Sequence, residues 1–233
     1  MKKFLSCCLL GVLWVCCSTA SAATFGYSLQ RCKNIMRSRP PQIDVVYSYG
    51  SLRLDNSKDA EGIKEIFQQL HPEQATHKVN GLTVMSPHAA VENSISMEFI
   101  DEYLCYYPER VTINTGYHPT VYISKELTSN PCRFMLTVRH EQTHLDIGHL
   151  SLQNFAKRLK EEFPKIVESV GPRLKSQGDS VVNADDVAKE INAEYLAQLK
   201  VLFDDFVQKL LEENARIDTD ENYETEKRLC PDN

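Results

Sequence analysis

Past Cys17 the chain has no long apolar run, so its body holds nothing that predicts a membrane span, which needs about 20 such residues. It has no C-x-x-C pair, the spacing by which cysteines grip a structural metal. Repeats and low-complexity tracts are also missing. Basic residues are the minority, with 26 Lys and Arg against 32 Asp and Glu and a net charge of −6. That balance argues against nucleic acid as a partner, which would call for a basic surface.

The one long apolar run opens the chain. Met1-Lys2-Lys3 precedes an apolar stretch from Phe4 to Cys17, and Ala20-Ser21-Ala22 follows as an A-x-A site. This pattern predicts a secretory signal peptide over 1–22, cut after Ala22, and so a secreted or periplasmic protein with no membrane span in its mature form. Cys7, Cys8, Cys16 and Cys17 leave with that segment, and none stands in a lipoprotein box. About 211 residues remain, enough for one domain with a full core over 23–233. Without Lys2 and Lys3 the balance becomes 24 basic against 32 acidic residues, a net −8. Cys32, Cys105, Cys132 and Cys230 stay. An even number in an exported chain predicts two disulfides. Cys105 and Cys132 flank one β segment, while Cys32 and Cys230 lie near the two ends, so the favoured pairs are Cys105–Cys132 and Cys32–Cys230.

Taken in order, Gln42 to Asp55 alternates around Gly50 and reads as a hairpin. Asp59 to Leu70 reads as a short amphipathic helix, ended by His71-Pro72. His77 to Met85 is a strand candidate with a turn signal at Asn80-Gly81, and Ser94 to Tyr107 is another. Beyond Pro108, Val111 to Thr115 and Thr120 to Ser124 read as paired strands around Tyr117-His118-Pro119. Tyr117 to Ser124 is a candidate edge, able to receive an extended chain. A helix then runs from about Asn130-Pro131 to Glu162 and stops at Pro164. A loop around Gly171-Pro172 and Gly178-Asp179 leads to a last long helix, Ala184 to Glu213, and an acidic tail that loops back. Strands first and helices later predict an α+β fold.

The first of the long helices carries the chemistry. His140-Glu141-Gln142-Thr143-His144 is an H-E-x-x-H box. Residues four apart on an α-helix lie about 40° apart around the axis, so His140 and His144 can offer two imidazoles to one ion. Imidazole nitrogens with an open position left for water suit a catalytic Zn²⁺. Glu141 stands where such sites place a general base. Phe134, Val138, Leu145, Leu152, Ala156 and Leu159 fall on one stripe, and the histidines sit at its border.

At HEQTHLDI, with the VTINTGYHPTVYIS strands and Cys132 before it and Asp218-Thr219, Tyr223 and Cys230 after it, the chain resembles a family. It is similar to uncharacterised bacterial secreted proteins assigned as zinc metallopeptidases on their HEQxH motif. The resemblance covers about the C-terminal two-thirds of the chain. It implies a zincin-like, gluzincin-like fold: N-terminal antiparallel strands with a short helix, an H-E-x-x-H active-site helix and a long C-terminal helix. It also implies a zinc ion on His140 and His144, with Glu141 as base. Glu190-Ile191-Asn192-Ala193-Glu194 resembles the E-x-x-A-D/E box of prenyl-protease-type gluzincins, whose first acid binds the metal. Glu190 is therefore the favoured third ligand, ahead of Glu194, His149 and Asp218. Glu161, Glu162 and Glu168 are further candidates. His149 stands one residue past Gly148 and departs from the metzincin spacing; in a continuous helix it points away from His140. Tyr117, His118, Tyr195 and Tyr223 are candidates to steady a developing oxyanion. The expected function is a zinc-dependent hydrolase acting on a peptide or protein. The alternatives are a non-catalytic exported binding protein on the same fold and a cell-wall amidase with the same metal chemistry.

Overall fold

A computed structural model describes residues 7–70, 72, 79–178 and 183–230, with side chains from Ala23 onward. Residues 1–6 of the predicted signal peptide, and the His77 end of a predicted strand, fall outside what is described; residues 7–22 are helical and continuous with 23–38. Among the described residues no helix is long and apolar enough to cross a membrane. The elements are α1 (Cys7–Ser38), β1 (Gln42–Tyr49), β2 (Arg53–Asp55), α2 (Ala60–Leu70), β3 (Gly81–Ile100), β4 (Tyr103–Ile123), a 3-10 turn (Lys125–Ser129), α3 (Pro131–Val170), β5 (Arg173–Ser176), α4 (Ala184–Ala215) and α5 (Asp220–Leu229). The fold is of the mixed α+β kind that the order of elements predicts.

β4 is the strand on which the sheet is built: β1, β2, β3 and β5 all pair with it. The pairing with β2 is parallel, Arg53 to Thr120 through Asp55 to Tyr122, and that with β5 is antiparallel, Tyr103 to Ser176 through Tyr106 to Arg173. Three readings of the sequence are corrected here. Gln42 to Asp55 is not a hairpin; the amide of Gly50 bonds the carbonyl of Tyr117, and β1 and β2 both lie along β4. The segments around Pro108 and Pro119 are one strand rather than two, because Tyr107, Val111, Ile113, Tyr117 and Val121 are all buried and proline's fixed φ suits extended backbone. Tyr117 to Ser124 is consequently not a free edge. Among the described residues β3 is paired on one side only, and Pro87 sits there, where a missing N–H is tolerated.

By contacts the chain divides into two compact units. The first comprises the described parts of Met1–Asp44, Val91–Thr112 and Phe163–Leu196. Its core gathers Cys32, Met36, Ile100, Cys105 and Tyr107, with Ile35 and Leu174 against them. The turn between β3 and β4 places Asp101 at φ 55°, a left-handed backbone that aspartate tolerates. Its carboxylate accepts from Ser28 Oγ and Arg31 Nη1, each at 3.2 Å, and so pins the hairpin tip to α1. Phe163 packs on Tyr195, with ring centroids 5.8 Å apart.

The second unit comprises Val45–Ala90, Ile113–Glu162 and Ala197–Asn233. Val121, Ile123, Leu127 and Leu145 form a core cluster, with Phe134 and Val138 of the predicted α3 stripe packed on it. Phe155 of α3 stacks on Phe206 of α4 at 4.6 Å. α2 starts one residue later than predicted, with Asp59 before it accepting from the amide of Gly62 at 3.0 Å, and Ile63 is fully buried. α3 runs through Pro164 to Val170, beyond its expected stop, with buried Phe163 and Val167 flanking the proline. The acidic tail is a helix, α5, capped by Thr219, whose hydroxyl accepts from the amide of Asn222.

The disulfides also differ from the favoured pairing. They join Cys32 to Cys105 and Cys132 to Cys230, with Cα atoms 5.6 and 5.9 Å apart. The physical reason lies in the packing. Cys105 faces α1 from the start of β4, inside the cluster that holds Cys32. Cys132 opens α3 and meets the C-terminal end of α5. Sequence separations of 73 and 98 residues give each bridge roughly 4–5 kcal/mol in the chain-entropy account. Non-reducing peptide mapping is expected to give one peptide linking Cys32 with Cys105 and another linking Cys132 with Cys230. A Cys105–Cys132 peptide would contradict this packing.

Candidate metal centre

α3 sets His140 and His144 one above the other, their ring centroids 5.0 Å apart and at 73°. Both are nearly buried, and Glu141 between them is 3% exposed. Asp218, three residues past the end of α4, closes the group. His140 Nε2 and His144 Nε2 each lie 3.1 Å from Asp218 Oδ1 and 3.3 Å from each other. These three residues are the group of histidine and acid ligands that could hold a metal ion among the described residues.

The outer hydrogen bonds decide which way the imidazoles face. His140 Nδ1 is 3.1 Å from Glu226 Oε1, and a carboxylate can only accept, so this nitrogen carries the proton. His144 Nδ1 is 2.6 Å from Asn214 Oδ1, while Asn214 Nδ2 donates to the carbonyl of Leu210 at 2.7 Å and fixes the amide in that sense. With both Nδ1 atoms engaged outward, the two Nε2 atoms and Asp218 Oδ1 converge on one point. By the same rule an Nε2 facing the carboxylate carries a proton when no metal is bound, and a neutral ring would offer its lone pair there to a cation.

The spacing tests the cation. Two nitrogens held by one tetrahedral zinc at about 2.0–2.1 Å are about 3.3 Å apart, and a nitrogen and an oxygen are only slightly closer. The observed 3.3, 3.1 and 3.1 Å triangle matches one face of such a tetrahedron. The three residues could therefore hold a metal ion of that size. Tyr223, stacked on His140 at 5.2 Å and 30°, donates its hydroxyl to Asp218 Oδ1 at 2.9 Å.

Protons compete for the same place. Burial pulls the His140 imidazole down, but the hydrogen bond to Asp218, the charge of Glu141 and the bond to Glu226 outweigh it and push it up to about 9. His144 is also raised, burial being outweighed by Asp218. Burial works to raise Asp218, yet the bonds from both imidazoles hold it well below the usual carboxylate range. For Glu141, burial raises the carboxyl; the charge of His144 and the Thr83 bond oppose it without prevailing.

β3 supplies the partner of Glu141. Thr83 Oγ1 donates to Glu141 Oε2 at 2.7 Å. Gly81 makes the approach possible, since a Cβ there would collide with Glu141 Oε1 and Thr137 Cγ2.

Of the residues singled out by sequence, His140, Glu141 and His144 come together, joined by Asp218 and Tyr223. Glu190 does not join them. It belongs to the other unit, where its carboxylate accepts from Lys175 Nζ at 2.9 Å and Arg173 Nε at 3.0 Å. Those bonds, that to Lys175 foremost, lower its pKa. Glu194 pairs with Arg173 in the same unit. His149 packs instead against Tyr49, 4.2 Å between centroids, and Tyr117. Tyr195 is buried in the first unit, and exposed His118 stacks on His88. Glu226, Asn214 and Thr83 were not singled out; no local pattern marks them, because each meets the box from 58 to 86 residues away. No family model, curated protein or solved structure was found to match the chain.

Two measurements follow from this geometry. Asp218→Ala should weaken zinc binding by about 100-fold or more, beyond the roughly 10-fold expected of Glu226→Gln, which removes only an outer partner. Chelator competition on both variants checks the order, and equal losses would deny Asp218 a ligand role. Calorimetry in buffers of different ionisation enthalpy gives the second. With His140 raised to about 9, the metal-free site is protonated at pH 7. Zinc uptake should then release about one proton at pH 7, and the release should fade as pH climbs through 9.

Proposed function

We propose that this protein is an exported zinc-dependent hydrolase of zincin type whose substrate is a peptide. The observation that carries the reading is the converging triangle of His140, His144 and Asp218 with buried Glu141 beside it. The ligand set is then two histidines and an aspartate rather than the gluzincin set with Glu190. Bound there, zinc supplies Lewis-acid polarisation of a carbonyl and a more acidic water.

Glu141 takes the proton from the attacking water and returns it to the departing amine. The Thr83 hydroxyl holds the carboxylate through Oε2. Burial raises the Glu141 carboxyl, which makes the carboxylate a stronger proton acceptor than an exposed one. Of the four candidates Tyr223 lies at the group, and it would serve as oxyanion donor by turning its hydroxyl away from Asp218. β3, one side of it unpaired and its Thr83 against Glu141, is the strand along which an extended peptide would lie. The two disulfides suit an oxidising compartment.

A site short of a third ligand would favour the non-catalytic alternative; Asp218 is a candidate for that place and supports the hydrolase reading. The amidase alternative shares every residue of this scheme and differs only in substrate. Glu141→Gln keeps the shape and removes the base. The expected result is zinc content and melting temperature nearly unchanged, with hydrolysis of a peptide library lowered by about 100-fold or more. Retained turnover with intact zinc would sink the assignment of Glu141.

A further inference from the structure

The two disulfides sit in opposite surroundings. Cys32 and Cys105 are both 0% exposed, inside a hydrophobic cluster. Cys132 is exposed, although its partner Cys230 is buried. What the accessible bridge holds is unusual. α5 has no fully buried side chain, so little hydrophobic packing holds it, its main apolar contact there being Tyr223, half-exposed and stacked on His140. Yet it carries Glu226, which orients His140, and Tyr223, which bonds Asp218. Its C-terminal end is tied to the first turn of α3 through Cys230 and Cys132. The metal helix and the helix that backs its ligands are thus joined by one solvent-facing covalent link.

We propose that Cys132–Cys230 is a redox latch on the metal centre: oxidised, it docks α5 and completes the site; reduced, it frees α5 and weakens metal binding. This rests on the reading of His140, His144 and Asp218 as zinc ligands. The reductant is a dithiol. Its thiolate attacks the Sγ of Cys132, the exposed residue of the pair, the Sγ–Sγ bond breaks, and Cys230 leaves as a thiolate that takes up a proton. The second thiol of the reductant, deprotonated, then attacks its own sulfur in the mixed disulfide. Cys132 leaves in turn, as a thiolate at the N-terminus of α3, where backbone N–H groups favour negative charge, and is protonated. Two electrons and two protons pass to the protein, and the dithiol becomes a cyclic disulfide. Cys32–Cys105, shielded in its cluster, survives conditions that open the other bridge.

Reduction removes the tether rather than a ligand, and Asp218 stays close to the end of α4. The loss expected is that of outer support, about 10–100-fold in zinc affinity. The test uses the full chain with both bridges formed, then treated with dilute dithiothreitol until mass mapping shows only Cys132 and Cys230 reduced. Zinc affinity is read by chelator competition and amide exchange over residues 217–230 by mass spectrometry. C132S/C230S supplies the same state without reductant. Expected are a 10-fold or greater loss of affinity and faster exchange in α5, in both the reduced protein and the variant. Equal affinity and equal exchange in oxidised and reduced protein would overturn the latch alone. An oxidised protein that binds no zinc would overturn the metal reading and the latch with it. Simultaneous opening of both bridges at every dithiothreitol concentration would overturn the selectivity that the burial contrast implies.

Discussion

Three acceptors aimed at one point cannot persist in a nearly buried site without a positive charge among them. The Nε2 lone pairs of His140 and His144 and the Oδ1 of Asp218 stand within 3.3 Å of one another. A proton answers this in the metal-free protein, and the raised His140 and depressed Asp218 are two sides of that answer. A divalent cation answers it better, because it satisfies all three at once. The surrounding contacts resist the escapes otherwise open to the site. Asn214 and Glu226 stop the rings from turning their Nδ1 atoms inward. Tyr223 keeps the carboxylate from rotating into solvent.

Much of this was legible in the sequence, and the parts that were legible are local. The H-E-x-x-H spacing alone determines that His140 and His144 share a helix face. The apolar stripe from Phe134 to Leu159 places that face at the edge of a core, and Leu127, Val121 and Ile123 meet it there. Helix starts were readable where a side chain caps them, as Asp59 does for α2. The helix stop at Pro164 was not, because buried neighbours on both sides override the lost hydrogen bond. The strand breaks at Pro108 and Pro119 failed for the same reason. Propensity describes a lone segment, whereas β4 is fixed by four partners.

The third acid shows the other kind of failure. Glu190 was attractive because it sits in a five-residue box on a long helix, a pattern that sequence can display. Its carboxylate instead neutralises Arg173 and Lys175, cations that arrive from β5 and leave no trace in the local spacing. Asp218 has no box around it. The signals that remain are indirect: Thr219 and the acidic residues after it announce a helix start, and that start holds Asp218 just outside the first turn. The disulfide pairing went the same way. Nearness in sequence favoured Cys105 with Cys132, yet each cysteine bonds within the unit where its own element packs.

The contrast between the two bridges gives the last step. A buried cystine adds to a core that already has Met36, Ile100 and Tyr107 around it. Removing it would leave those contacts in place. α5 has no such reserve among the described residues: the contacts that tie it to α3 are the Glu226 bond to His140, the stacking of Tyr223 on His140 and the Cys132–Cys230 bridge. Polar contacts at a half-exposed surface are worth little against the entropy of a free terminal segment. The covalent bond changes that balance by keeping the ends together while the polar contacts form. The same polar groups can therefore be strong partners of the histidines when tethered and weak ones when not, which is why the chemistry of two sulfurs bears on a metal site they do not touch.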